Sequence, residues 1–445
     1  MYSIIILTVL GIIGMLGDML PLKRLFLPVT LLGFALAWLG YFFEFPMHTS
    51  LFSFDLISMC FGGVMLVITG ISVITVYGYG SFKHGSEPPY TVLALMIFAT
   101  AGGLLMVAWS HLMMLFLAIE ILSIPLYVLV GSQGDRKASQ EASLKYFLLG
   151  AVASCIFLFG MALYYAGTGS FLLGAVHPHS LVGSAGVLLM IAGVCFKAGV
   201  VPFHSWVPDV YEGAPTVITG WMAALVKVAA FGALTKMVGS LSYSVWGLEV
   251  MGMAVLTMTL GNVLAVQQGS LKRLLAYSGI AHAGYMLLVF LPVTETSITT
   301  VFFYGASYAL GTLGVFTVIH ILEQSGLSAT VDALRGLFKR NKTVTLLWCL
   351  SVLSLAGIPP LPGFFAKLLV LMHVVKAHHS GLLWVTFLNF LVGVYYYFRL
   401  ILYPFTGGLS EESVVLSVWQ KVGVVILLIL TWGAVLFPEF LLSVF

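Results

Sequence analysis

Long apolar runs follow one another along the whole chain, cut by glycine, proline and short charged stretches. A helix needs about 20 mainly apolar residues to cross the hydrocarbon core of a bilayer. Runs of that length cover about 2–20, 25–43, 51–79, 90–109, 112–131, 143–166 and 181–203. They continue over about 215–238, 245–266, 273–292, 298–323, 343–376, 381–403 and 418–440. The pattern predicts an all-α membrane protein with about fourteen transmembrane helices, because lipid-exposed backbone must satisfy its own polar groups. Composition agrees: 60% of residues are hydrophobic and 8% are charged, against roughly 25% charged in soluble domains. No polar stretch is long enough to build a soluble domain. The first run lacks a basic leader and a small-residue cleavage site, so it reads as a retained span.

The basic residues of the connecting segments sort by side. Lys23, Arg24, Lys83, Arg136, Lys137, Lys145, Lys272, Arg273, Arg335, Lys339, Arg340, Lys342 and Lys421 fall on one side of a fourteen-span chain, and only Lys236 and Lys376 on the other. One span too many or too few mixes the two sets. The positive-inside rule makes the basic side cytoplasmic. The expected location is a bacterial cytoplasmic (inner) membrane, crossed many times, with both termini in the periplasm.

Two spans should break. In Phe196-Lys197-Ala198-Gly199-Val200-Val201-Pro202 the proline lacks an N–H and clashes with the carbonyl of Ala198. In Gly357-Ile358-Pro359-Pro360-Leu361-Pro362-Gly363, three prolines and two glycines end any regular helix. The breaks fall in the seventh and twelfth spans. A unit of five spans crosses an odd number of times, so a second copy must be inverted. Two inverted five-helix repeats follow, each with its fourth helix broken, a pattern of many ion-coupled transporters. The expected layout is N-terminal helices over 1–89, a first repeat over 90–240, an inverted repeat over 241–403 and a last helix over 404–445.

Glu120, Lys197, Lys227 and Lys367 lie near the middle of apolar runs. Ionisable groups at bilayer depth cost at least a few kcal/mol and usually mark a polar path. These lysines are too central to snorkel to the surface. A buried ammonium is disfavoured, so each lysine is a candidate proton carrier, with Glu120 placed to stabilise charge on Lys197. His204, His282, His320 and His373 fall in or near spans and titrate near neutrality; His320, in the eleventh, is the preferred bridge between the halves. Lys145 pairs with Glu141 at i,i+4 and suits a membrane-edge anchor, with a part in proton entry as the alternative. Asp55 and Arg399, near span ends, suit interface or anchoring roles, and Asp209 and Glu212 read as loop residues that either touch neighbouring subunits or solvate the loop and cap the next helix. Pro125 should loosen the fifth span, and the four cysteines read as small core hydrophobes. A stand-alone cation/proton antiporter and a non-conducting spacer are the rival readings.

The run from Phe196 to Thr216, with Pro202-Phe203-His204 and Pro208-Asp209-Val210-Tyr211-Glu212-Gly213-Ala214-Pro215, resembles the N-subunit family of respiratory complex I. Ala142-Ser143-Leu144-Lys145-Tyr146-Phe147, Lys272-Arg273-Leu274-Leu275-Ala276-Tyr277-Ser278-Gly279-Ile280-Ala281-His282 and Gly357-Ile358-Pro359-Pro360-Leu361-Pro362-Gly363-Phe364 match as well. These are antiporter-like membrane subunits of the proton-pumping NADH:quinone oxidoreductase. The resemblance implies roles for Glu120, Lys197, Lys227 and Lys367, with the lysine at 367 favouring the N type over the acidic M type; with His320 from the pattern above they make the expected proton relay. It implies no cofactor on this chain: NADH, FMN, iron–sulfur clusters and quinone belong to partner subunits. Expected partners are M-type and small K/J/A-type membrane subunits, lipid and protons; no basic patch interleaved with aromatics points to nucleic acid. Gly279 departs from the serine common in relatives, a change expected to affect packing only.

Single cysteines placed beside Arg136 and Lys339 should resist an impermeant thiol reagent in intact cells, while one beside His177 is labelled. The reverse pattern contradicts the orientation.

Overall fold

The structure is a computed structural model that describes residues 2–17, 26–78, 90–173, 180–241, 247–291, 295–378, 380–407, 414 and 416–436. Helices run in the order α1 (Tyr2–Leu16), α2 (Phe26–Glu44), α3 (Leu56–Gly78), α4 (Tyr90–Val107), α5 (Leu112–Val130), α6 (Lys137–Thr168), α7 (Leu181–Ala198), α8 (Trp206–Gly213) and α9 (Thr216–Gly239). They continue with α10 (Gly247–Val266), α11 (Leu271–Leu288), α12 (Glu295–Gln324), α13 (Leu337–Arg340), α14 (Lys342–Ala356), α15 (Pro362–Lys376), α16 (Ser380–Leu402) and α17 (Val418–Leu436). Among the described residues, nine helices are long and apolar enough to cross a membrane: α3–α7, α9, α10, α12 and α16. Four shorter apolar helices, α1, α2, α14 and α17, stand beside them. Lys23, Arg24 and Lys83 lie outside the described residues.

Both breaks are present and share one construction. α7 stops at Ala198 and α14 at Ala356, and a glycine with positive φ follows each: Gly199 at 74° and Gly357 at 76°. Only glycine adopts this left-handed conformation without a Cβ penalty. Gly199 N–H donates to Phe196 O (3.1 Å) and Val200 N–H to Cys195 O (3.0 Å); Gly357 N–H donates to Ser354 O (2.9 Å) and Ile358 N–H to Leu353 O (3.1 Å). These are paired C-terminal caps of the Schellman type. Pro202 and Pro360 then occupy the positions whose N–H groups a continuing helix sends back to Ala198 O and Ala356 O. The chain resumes as α8 and, from Pro362 at a first helical position, as α15.

α9 and α12 form the centre. Buried residues make up 94% of the apolar span of α9 and 33% of that of α6, which puts α6 on the outer rim of the bundle. α4 packs on α5 and α9, and α7 on α6 and α9; in the second half α10 packs on α11 and α16, and α14 on α12 and α16. Close approach depends on glycine at matching places. A Cβ at Gly102 in α4 would run into the backbone N of Leu122, and one at Gly261 in α10 would lie 2.5 Å from the backbone N of Ala281. Small residues at such crossings let helix backbones touch, the main source of packing energy where lipid removes the hydrophobic drive.

Pro125 sits inside α5. Two local expectations change. Asp209 and Glu212 lie on α8 rather than in a loop, and α9 has no side-chain cap. Cys195 is buried, but Cys155 is exposed, so it is not a core residue.

Gly102→Val should destabilise the protein by about 1–3 kcal/mol through overpacking, read as a lower midpoint of thermal unfolding in detergent. Gly252→Ala, where an added Cβ meets nothing within 4 Å, should raise the midpoint slightly, because alanine favours a helix interior over glycine.

Candidate functional site

Lys197, Lys227 and Lys367 are buried along the interior, each in a different local setting. Lys197 is the penultimate residue of α7 and is 2% exposed. Its Nζ donates to the Tyr127 hydroxyl of α5 at 3.1 Å and faces the rings of Tyr127, Phe196 and Tyr146 at 5.3, 5.5 and 5.7 Å. Aromatic faces attract a cation without carrying a net charge. Glu120 stands two turns before Tyr127 on α5, accepts a short hydrogen bond from Ser154 of α6, and acts on Lys197 electrostatically. Tyr127 is therefore the direct partner of the ammonium and Glu120 a neighbour in its field.

Lys227 and Lys367 solve the problem that the two breaks create. Lys227 Nζ, from α9, donates to Ala198 O at 3.0 Å and to Gly279 O at 2.7 Å, with the Tyr308 ring at 5.6 Å. Lys367 Nζ donates to Ala356 O at 2.8 Å and faces Phe390 and Tyr285 at 5.1 and 5.8 Å. Ala198 and Ala356 are the carbonyls deprived of a donor by Pro202 and Pro360. Each is also the last residue of its helix, where the aligned peptide dipoles carry partial negative charge. A hydrogen bond involving a charged group contributes roughly 1.5–3 kcal/mol.

One face of α11 joins these two lysines. Gly279, His282 and Tyr285 recur at helical spacing: the first gives its carbonyl to Lys227 and the last turns its ring toward Lys367. Between them His282 is buried, with Nδ1 2.8 Å from the Tyr304 hydroxyl and Nε2 3.1 Å from that of Tyr397. Tyr397 also shares a short hydrogen bond with Ser278. His282 lies within the electrostatic reach of both Lys227 and Lys367. A Cβ at Gly279 would stand 2.8 Å from the Tyr308 hydroxyl and 3.4 Å from Lys227 Cε.

His320 lies elsewhere. It is near the end of α12, with Nδ1 4.0 Å from Glu323 Oε2, on the wall of a cleft of about 700 Å³. Lys272 and Glu323, which the sequence did not single out as a pair, meet there at 3.3 Å. His373 pairs with Thr300 at 3.1 Å, and Asp55 pairs with Lys236 at 2.9 Å. Arg399 stacks over Tyr403 at 5.8 Å. Lys145 bonds Glu141, as the i,i+4 spacing suggests, and also Asp209, both at 2.8 Å; Arg273 of α11 bonds Asp209 at 3.0 Å and Glu212 at 2.9 Å. Those ion pairs tie α8 to α6 and to α11.

Residues 110–393 match the family described as NADH:quinone oxidoreductase/Mrp antiporter, transmembrane. NADH-quinone oxidoreductase subunit N of Cytophaga hutchinsonii is 39% identical over 461 aligned positions, covering 100% of this chain and 99% of that protein. A chain of respiratory complex I from Thermus thermophilus, solved with bound aureothin, is 32% identical with a TM-score of 0.87 over 99% of this chain and 98% of that one. A chain of the Mrp complex from Dietzia sp. has a TM-score of 0.86 at 19% identity over 99% and 94%, a likeness of fold alone. The chain therefore belongs to the NADH:quinone oxidoreductase/Mrp antiporter transmembrane family and, within it, to the subunit N group of NADH-quinone oxidoreductase.

Proposed function

We infer that this chain is the N subunit of a bacterial complex I and carries protons through Glu120, Lys197, Lys227 and Lys367, driven by quinone reduction in partner subunits. The observation that carries the reading is that, among the described residues, Lys227 and Lys367 are bound by neutral groups: main-chain carbonyls and aromatic rings. An ammonium held so is solvated enough to exist and is not locked in a fixed ion pair, so it can lose its proton when a neighbouring charge changes. His282 joins the line between these two lysines. His320 serves it from the cleft, one step further out.

Pairing α7 with α8 and α14 with α15, and counting every other helix from α1 to α17 except the four-residue α13, gives fourteen spans. Matching packing of α4, α5, α7 and α9 with α10, α11, α14 and α16 supports two inverted five-helix repeats, 90–240 and 241–403. So do the Ala-Gly-x-x-Pro sequences at both breaks. Helices 1–89 and 404–445 flank them. The partners are other membrane subunits of complex I, and the cofactors reside on those and on peripheral subunits. The antiporter reading requires that the isolated chain work alone.

Lys227→Ala should assemble into the complex and lower proton translocation at least about tenfold, in line with the loss of a positioned acid–base group. Lys227→Arg should not restore it, because a guanidinium does not release its proton. The measurement is proton uptake by inverted membrane vesicles oxidising NADH, normalised to assembled complex. Wild-type pumping by Lys227→Arg would make the residue a fixed charge. The isolated chain in liposomes should not exchange sodium for protons; exchange there favours the antiporter.

A further inference from the structure

We propose that Glu323, together with Lys272 and Thr216, is the proton-loading site on the basic face, taking protons from the cleft and passing them to His320. The proposal rests on the proton-carrying reading above and adds the group through which protons arrive.

The cleft is lined by Arg136, Thr216, Lys272, His320, Glu323 and Gln324, among others. Its volume of about 700 Å³ is ample for many waters at about 30 Å³ each. Glu323, near the C-terminal end of α12, is 29% exposed at its side chain, so it meets both the cleft and the interior. Its Oε2 accepts from the Thr216 hydroxyl at 2.5 Å and its Oε1 lies 3.3 Å from Lys272 Nζ. Lys272 is 4% exposed and also donates to Ala214 O at 3.2 Å, which fixes the ammonium at the floor of the cleft. Three elements, α9, α11 and α12, thus hold one carboxylate at the boundary between water and protein.

The same carboxylate faces inward. His320 Nδ1 stands 4.0 Å from Oε2, a distance closed by a small rotation or a single water. From His320 the positions Phe316, Thr312, Tyr308 and Tyr304 follow at steps of four on α12, each turned about 40° from the one before, so the row winds round the helix as it rises. Tyr308 lies against Lys227 and Tyr304 binds His282. The distance from His320 to Tyr308 along the axis is roughly 18 Å at about 1.5 Å per residue, so water must complete the route. The proton balance is simple. Glu323 gains a proton from cleft water and leaves hydroxide or water there, gives that proton to His320, and returns to carboxylate; His320 passes one proton inward and returns to neutral imidazole.

A structural ion pair between α11 and α12 is the competing account, and two variants separate it. Glu323→Gln keeps the shape and the hydrogen bond from Thr216 but cannot carry a proton. In the assembled complex it should lower protons pumped per NADH oxidised at least about tenfold, while Glu323→Asp retains most of the pumping. The double variant Glu323→Gln with Lys272→Gln restores a neutral hydrogen-bonded pair and should remain defective. Wild-type pumping by Glu323→Gln, or recovery in the double variant, overturns the proposal. Lys227→Ala is measured alongside: if it fails to pump while Glu323→Gln pumps normally, the loading site is wrong and the relay stands; if both pump normally, the relay itself falls. Should Glu323→Gln not assemble, turnover-induced infrared difference spectra of the Glu323→Asp complex decide. A protonated-carboxyl band displaced from its wild-type position supports loading at 323, and an unchanged spectrum overturns it.

Discussion

Two main-chain carbonyls, Ala198 O and Ala356 O, set the conditions for the rest of the interior. Each has lost its helical donor to a proline, and each lies where no bulk water reaches. An unsatisfied polar group in that setting costs several kcal/mol. The ammoniums of Lys227 and Lys367 supply the missing donors. The same contact solvates a charge that the apolar interior would otherwise expel. Break and lysine therefore make sense only together: the break without the cation leaves an orphaned carbonyl, and the cation without the break lacks a negative helix end to face.

The two halves use this device differently. Lys227 reaches across from α9 to the end of α7, while Lys367 reaches back from α15 to the end of α14. The first contact joins two helices distant in the chain; the second bridges two consecutive helices across their own break. The first half also holds an additional lysine, Lys197, before its break, bound by the Tyr127 hydroxyl rather than by a carbonyl. At the position one before Ala356 the second half has Leu355, which is buried apolar core. The halves are alike in backbone and unlike in where the charge is kept.

The breaks were legible because proline and glycine act locally, through a missing N–H and a permitted φ. The central lysines and Glu120 were legible because a charge within an apolar run has few explanations. Their partners were not, since these come from remote parts of the chain: Tyr127 is 70 residues from Lys197, and Gly279 is 52 from Lys227. Spacing along one helix does not reveal which hydroxyl or carbonyl a neighbouring helix presents. The same gap explains why His320 was preferred over His282. Both are single histidines in apolar helices, and only packing shows that one stands between two lysines and the other beside Glu323 at the cleft. Asp209 and Glu212 were read as loop residues because eight residues between two breaks offer too little periodicity to identify α8.

The charged strap on α8 differs in kind from the contacts deeper inside. Lys145, Asp209, Arg273 and Glu212 are between 30% and 44% exposed at their side chains. Mobile ions in the adjoining solution reach such groups, and at physiological strength they screen charges over about 8 Å. The carbonyl-bound lysines at the breaks are out of their reach. Ionic strength thus acts selectively on this molecule: a concentrated electrolyte loosens the hold of α6 and α11 on α8 and leaves the ammonium–carbonyl contacts at both helix ends untouched.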